Sequence, residues 1–315
     1  MLIESILQRL VTGILVGGIY GLLCTGLGMI FGVIRVINFA QGEFMMLGMY
    51  ATAFVAVSLG SVAFLGPVAG AYIGVVCAGV LVGFAGWGTQ RYLIARVSGT
   101  RVADSDNEGH FAQLILTLGL SLVLSNGAMI LFGSSPQTVP TTLASTSWTL
   151  GPFTDSEIMI FVNRARAVGW VFAVVIGAGL FWFVHHTRIG TTMRAAADNP
   201  TAATIVGIDV ERSYAYAFAI GIGVTALAGG LIATYYPFQP YIGFEFVIVM
   251  YAGVVLGGMG SMLGAFWGGM AMGLVQQLST LILPYQLQNA TIFLLFLAVV
   301  LWRPQGLFGR SAERM

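Results

Sequence analysis

Lysine is absent from this chain, and charge of either sign is scarce: only 8% of its 315 residues are charged, against 57% hydrophobic. A soluble domain carries about a quarter charged residues, so a fully water-exposed surface is excluded and the chain reads as an all-α polytopic membrane protein. The net charge of +1, with no basic block, leaves no footprint for nucleic acid. The two cysteines, Cys24 and Cys77, lie inside apolar runs and read as small buried hydrophobes, not as disulfide or metal partners. Neither HExxH, GxSxG nor the phosphate loop GxxxxGK[ST] occurs. An enzyme is therefore not expected, no cofactor or metal is expected, and any ATP hydrolysis would belong to a partner. The first residues lack the order of a secretory signal and read as the lead into the first span.

What the chain has in quantity is apolar segments of spanning length, at about 8–31, 42–61, 64–87, 112–133, 167–186, 213–235, 244–258, 261–283 and 286–302. These predict eight to nine transmembrane helices in one permease-like domain over 1–315, with broken or re-entrant stretches near 32–42 and 257–261. Arginine orients them. Arg91, Arg96 and Arg101 fall in one inter-span loop, Arg188, Arg194 and Arg212 in another, and Arg303, Arg310 and Arg314 in the tail. The positive-inside rule makes these regions cytoplasmic, which puts the C-terminus inside and the N-terminus outside. The connection 134–166 is then the longest external loop, and its stretch from Pro152 to Val162 is read as an amphipathic helix lying along the outer surface, or else as a plain covering loop.

Two stretches carry the functional signal. Between Ile30 and Tyr50, the residues Arg35, Asn38, Gln41 and Glu43 interrupt apolar sequence for about ten positions. Ionisable groups near membrane depth cost a few kcal/mol and tend to face a protein interior or a watery path, so Asn38, Gln41 and Glu43 are candidates for a translocation pathway. The bland readings are an Arg35–Glu43 ion pair and amides that serve only the backbone of a broken helix. Glu245 reads as a helix-start carboxylate favoured by the dipole. His185–His186 is a weak metal signal without further ligands, and Trp170, Trp182 and Trp302 read as interfacial belt residues.

The second stretch, 187–212, is TRIGTTMRAAADNPTAATIVGIDVER, longer and more polar than a turn between spans requires. Asn199 is placed as an N-cap, Pro200 as the first helical residue, Thr201 to Val206 as the body and Gly207 as the terminator, with a second helix upstream over 190–197. A rigid helix pair held by two span ends suits docking on another protein, the alternative being a connector lying on lipid. Small residues spaced along Gly13, Gly17 and Gly21, and along Gly253, Gly257, Gly260, Gly264 and Gly268, would let helix backbones approach closely.

Taken together, GVIRVINFAQGEFMMLGMYA, TRIGTTMRAAADNPTAATIVGIDVER and GVVLGGMGSMLGAFWGGMAMG resemble the inner-membrane permease family of binding-protein-dependent ABC importers, of the branched-chain amino acid type. The likeness covers nearly the whole chain and is to the shorter of two paired permeases. It implies that 187–212 is a cytoplasmic coupling region docking on an ATPase, with Arg194, Ala195, Ala196, Asp198, Asn199, Pro200 and Gly207 matching the family pattern. It also implies as partners two ATPase subunits, a second homologous permease and a periplasmic substrate-binding protein, in a bacterial inner membrane whose lipid surrounds the bundle. Members of this family carry branched-chain amino acids, and similar permeases carry urea, short amides or aromatic acids. An ion-coupled secondary transporter is the remaining alternative, and it would want more intramembrane carboxylates than Glu43 and Glu245.

Overall fold

The computed structural model describes residues 2–35, 37–60, 66–97, 106–153, 158–303 and 306–308. Of the arginines used for orientation, Arg101, Arg310 and Arg314 lie outside the described residues. The architecture is helical: α1 (Leu2–Ile34), α2 (Gln41–Gly60), α3 (Gly66–Thr89, prolonged through a π-helical turn at Gln90–Ile94 to Val97), α4 (Asp106–Phe132), α5 (Arg164–His186), two short helices α6 (Arg188–Asp198) and α7 (Pro200–Ile205), then α8 (Val210–Ala233), α9 (Ile242–Gly257), α10 (Met262–Ser279) and α11 (Gln288–Trp302). Six of them, α1 to α5 and α8, are long and apolar enough to cross a membrane, and α9 and α11 are shorter apolar helices. With α10, each of the nine predicted segments falls on one helix.

The centre of the bundle is α1 and α8. Lacking a hydrophobic drive within lipid, helices associate by close packing, which small residues permit. The α1–α10 pair runs on this device: the Cα face of Gly269 lies against the backbone of Tyr20 and Gly21, and that of Gly17 against the backbone of Met270. By contrast α4 and α5 are mostly exposed along their apolar windows and form the periphery.

Both expected interruptions are helix breaks, and they meet at one end of the bundle, where Gly32 faces Gly260. The first begins at Arg35, the only non-glycine residue among those described with a left-handed backbone (φ 57°), a conformation costing roughly 1–2 kcal/mol for a residue with a Cβ. The second uses Gly258 and Gly260, both at positive φ, after which the Ser261 hydroxyl accepts from Gly264 N at 3.1 Å and caps α10. The carbonyls freed at the end of α9 are taken up by the tail, Leu307 N donating to Leu256 O at 2.8 Å and Phe308 N to Gly257 O at 3.1 Å. A helix end needs such partners when it is buried.

At the opposite end the structure corrects the sequence reading. The stretch expected as an amphipathic helix from Pro152 to Val162 falls instead on an antiparallel hairpin, β1 (Ser147–Phe153) with β2 (Ile158–Asn163), residues 154–157 lying outside the described set. The reason is period: Ile160 and Val162 are buried while Met159 and Phe161 are exposed, the alternation of a strand and not the 3.6-residue repeat of a helix. Gln8 binds the hairpin through both ends of its amide, Nε2 donating to Phe161 O at 2.7 Å and Oε1 accepting from Phe161 N at 2.8 Å. Asn163 then accepts from Arg166 N at 3.1 Å and starts α5.

Candidate functional site

Residues 35 and 37–40 run from the surface into the protein. Arg35 and Ile37 are exposed, whereas Asn38 and Gln41 are 0% accessible. Asn38 Oδ1 accepts from Ala40 N and Asn38 Nδ2 donates to Gln41 Oε1, both at 3.1 Å; Gln41 Nε2 donates to Thr225 Oγ1 at 2.6 Å, and that hydroxyl donates to Gly221 O at 2.9 Å. This chain of bonds ties the start of α2 to the middle of α8. Tyr251 of α9 stacks at a tilt beside Phe39, ring centroids 5.8 Å apart.

Glu43, in the first turn of α2, is 2% accessible. Its Oε1 accepts from Ser121 Oγ of α4 at 3.3 Å, and its Oε2 has no hydrogen-bond partner and lies against the Cα of Gly243 in α9. Both Gly42 and Gly243 bring bare backbone to this crossing, leaving no room for a Cβ on either. The expected alternative of an Arg35–Glu43 ion pair is not what forms. Arg35 instead extends Nη2 to Ala197 O in α6 at 3.4 Å, because its left-handed backbone turns it outward while Glu43 points inward. A buried carboxyl group with one long hydrogen bond is costly, and such groups within membrane segments are default functional candidates.

The second predicted set is brought together on α6, α7 and the turn after them. Thr187 Oγ1 accepts from Gly190 N at 3.1 Å to start α6; Asn199 closes α6 with its N–H on Ala195 O at 3.2 Å and opens α7 by accepting from Ala202 N at 2.9 Å. Gly207, at φ 85°, ends α7 with its N–H on Thr204 O, while Ile208 N reaches Ala203 O, the paired bonds of a Schellman motif. Gly190, Met193 and Ala196 form the buried stripe of α6. Pro200, Asp198 and Arg194 are exposed, Arg194 Nη2 donating to His185 O at 3.2 Å, and Ala195 is half-buried. The end of α7 presents Ile205 at 81% and Val206 at 75% accessibility.

Sequence reading missed the partners Thr225, Ser121 and Thr117, whose hydroxyl reaches Ile37 O at 3.5 Å. It also missed that Glu245, in the first turn of α9, shares a cavity with Arg166 and Gln276. Lone polar residues in apolar spans were the available signal. His185 and His186 direct Nδ1 to Phe181 O and Trp182 O, at 2.8 and 3.2 Å.

The Asn38–Gln41–Thr225 network fixes the register of α2 on α8. Thr225→Val removes the acceptor for Gln41 Nε2 while keeping the shape. Leaving that buried amide unsatisfied is expected to cost about 1–3 kcal/mol, read as a lowered unfolding midpoint in detergent, whereas Thr225→Ser, which keeps the hydroxyl, stays close to the parent.

A bundle of apolar helices broken at one end, with two short capped helices beside the break, defines a multi-pass membrane protein. A family model described as "branched-chain amino acid transport system / permease component" matches residues 9–301. Over 308 residues, 96% of each chain, the sequence is 30% identical to the high-affinity branched-chain amino acid transport system permease protein LivH of Salmonella typhimurium. It is equally similar, at 30% over 306 residues and 96% of each chain, to BraD of Pseudomonas aeruginosa, a permease protein of the same description. A probable LivH of Methanocaldococcus jannaschii is 25% identical over 307 residues, covering 93% of this chain and 90% of its own. No solved structure matches. The chain belongs to the family of branched-chain amino acid transport system permease components: it is a multi-pass membrane protein and a transport component, not an enzyme.

Proposed function

We propose that this chain forms part of the path by which branched-chain amino acids enter a bacterial cell, in an ATP-driven importer of the inner membrane. Its partners are two ATPase subunits, a second homologous permease and a periplasmic binding protein that delivers the cargo. The end bearing α6, α7 and both breaks is cytoplasmic, together with the C-terminus; the hairpin end and the N-terminus are periplasmic. What supports this orientation is charge: Arg91 and Arg212 border one cavity beside Asp209 and Glu211, and Arg35, Arg188 and Arg194 gather on or against α6.

The observation that carries the reading is the contact between Arg35 and α6. It joins an exposed, doubly capped docking helix pair to the non-helical segment that starts α2, and through Asn38 and Gln41 to the turn bearing Glu43. Arg194, Ala195, Ala196, Asp198, Asn199, Pro200 and Gly207 form the ATPase-coupling element, and Asn38, Gln41 and Glu43 stand on or next to the pathway. Closure of the ATPase pair would shift α6, and a two-state break is the sort of element such a push biases.

The test is co-reconstitution with the ATPases, second permease and binding protein encoded alongside this chain. Uptake of leucine, isoleucine or valine that requires both ATP and the binding protein is expected; uptake by this chain alone, driven by an ion gradient, would overturn the reading. In the same system Gly207→Val puts a β-branched residue at φ 85°, a local strain of about 2 kcal/mol that loosens the end of α7 without touching the bundle. The number of amino acids moved per ATP should fall by about tenfold with membrane insertion unchanged.

A further inference from the structure

On the side of α9 away from Glu43, at the hairpin end, lies a cavity of about 70 Å³. Its polar wall is Arg166 from the first turn of α5, Glu245 from the first turn of α9, Gln276 from the end of α10, and Gln288 and Asn289 from the start of α11. Its apolar wall is Val16 of α1, Ile232 of α8 and Val249 of α9, with Tyr20 set edge-on to Phe246 at 5.8 Å.

Three features separate this cavity from a packing defect. Arg166 and Glu245 border one space without neutralising each other: among the described residues the ion pair is Arg212–Asp209, at the other end. Arg166 is held from the side, its guanidinium 5.3 Å from the centroid of the Tyr235 ring, an attraction that fixes the cation without consuming its N–H donors. The amides are only partly spent, for Gln276 Nε2 donates to Asn289 Oδ1 at 3.1 Å while the buried Gln288 Oε1 has no partner. Neither α9 nor α11 is capped by a side chain at its start. Unpaired opposite charges, a free acceptor and an aliphatic wall in one cavity complement a zwitterion with a branched apolar side chain.

We infer that this cavity is a receiving subsite for the free amino acid on the periplasmic side, Arg166 taking the α-carboxylate, Glu245 the α-ammonium, and Val16, Ile232 and Val249 the side chain. The inference rests on the proposed cargo and adds that the permease itself recognises it before the pathway at Glu43. A guanidinium suits the carboxylate because it offers paired donors.

The probe is a leucine analogue carrying a diazirine on its side chain, photolysed with the purified importer complex in the absence of binding protein, alongside leucine uptake by the same complex in vesicles supplied with ATP and the binding protein. Labelling is expected on Val16, Ile232 or Val249. Excess leucine should abolish it; isovalerate and isoamylamine, each carrying one half of the zwitterion, should not. Arg166→Gln and Glu245→Gln should purify as the same assembly and label about tenfold less, and Arg166→Lys, which keeps the charge, should recover most of the signal. Uptake of leucine with labelling outside the cavity, or undiminished in both variants, overturns this inference and leaves the cargo reading intact. A complex that moves no branched-chain amino acid overturns both.

Discussion

Gly269→Leu is expected to remove the folded protein from the membrane, whereas Gly127→Leu leaves its amount unchanged. At Gly269 a Cβ would stand 2.5 Å from Tyr20 O and 2.7 Å from the Cα and N of Gly21, so the obstacle is the backbone of α1, which no rotamer can move aside. On its other side the same glycine meets Gly253, whose own Cβ would fall 3.2 Å from the Gly269 Cα. A substitution here has to separate α1 from α10, undoing a direct backbone-to-backbone approach. Overpacking of ordinary cores costs about 1–3 kcal/mol, and an obstacle made of backbone puts this change above that range. Gly127 on α4 has nothing within 4 Å of an added Cβ, so leucine there only adds apolar surface to an exposed helix. The check is the ratio of monodisperse protein in detergent for the two variants; equal recovery would show that the α1–α10 approach has room for a side chain at this position.

The same logic explains what was legible in the sequence. Hydropathy located nine helices because lipid demands length and apolarity from each span, and the glycines marked where two spans touch. Even the segment 244–258, short for a span, was recovered as α9 (Ile242–Gly257). The caps around 187–212 were readable because they are local: Asn199, Pro200 and Gly207 act on backbone within four residues. The hairpin was not, since its alternation is short and broken at Gly151 and Pro152, where the register shifts between Leu150 and Phe153. The partners of the polar break were hidden for another reason. A hydroxyl in a span can satisfy itself on the carbonyl four residues back, as Thr225 does on Gly221, so its second role as acceptor for Gln41 leaves no mark in the sequence. Glu245 was read as a helix-start carboxylate, and it does occupy the first turn of α9. That it borders one cavity with Arg166 depends on how α5, α9, α10 and α11 assemble, which spacing along the chain does not encode.

The largest functional effect without loss of fold is expected from the double change Ile205→Asp/Val206→Asp at the end of α7. These side chains are 81% and 75% accessible and carry none of the caps that define the helix: α7 is closed by Thr204 O, Ala203 O and the backbone of Gly207 and Ile208. Two large apolar side chains held out by a rigid, capped helix make a small hydrophobic patch, and patches of this kind mark contact sites. Burying each on a partner contributes about 1.5–3 kcal/mol, so replacing both by aspartate should weaken ATPase association by roughly 4 kcal/mol, near a thousandfold. The altered permease should insert and fold as before, retain its own side of the membrane, and fail to retain the ATPase subunits on a column. Uptake in vesicles should fall with it, in proportion to the ATPase lost and not to any change in the permease. The competing reading of 187–212, a connector resting on lipid, makes the opposite forecast: aspartates would lift α7 from the headgroups, the ATPases would still co-purify, and uptake would persist. Because Arg35 touches α6 at Ala197 and not α7, the network behind the docking surface should be intact in this variant. Loss of ATPase binding would therefore assign the apolar end of α7 to the partner, and the Arg35 contact to what happens after docking.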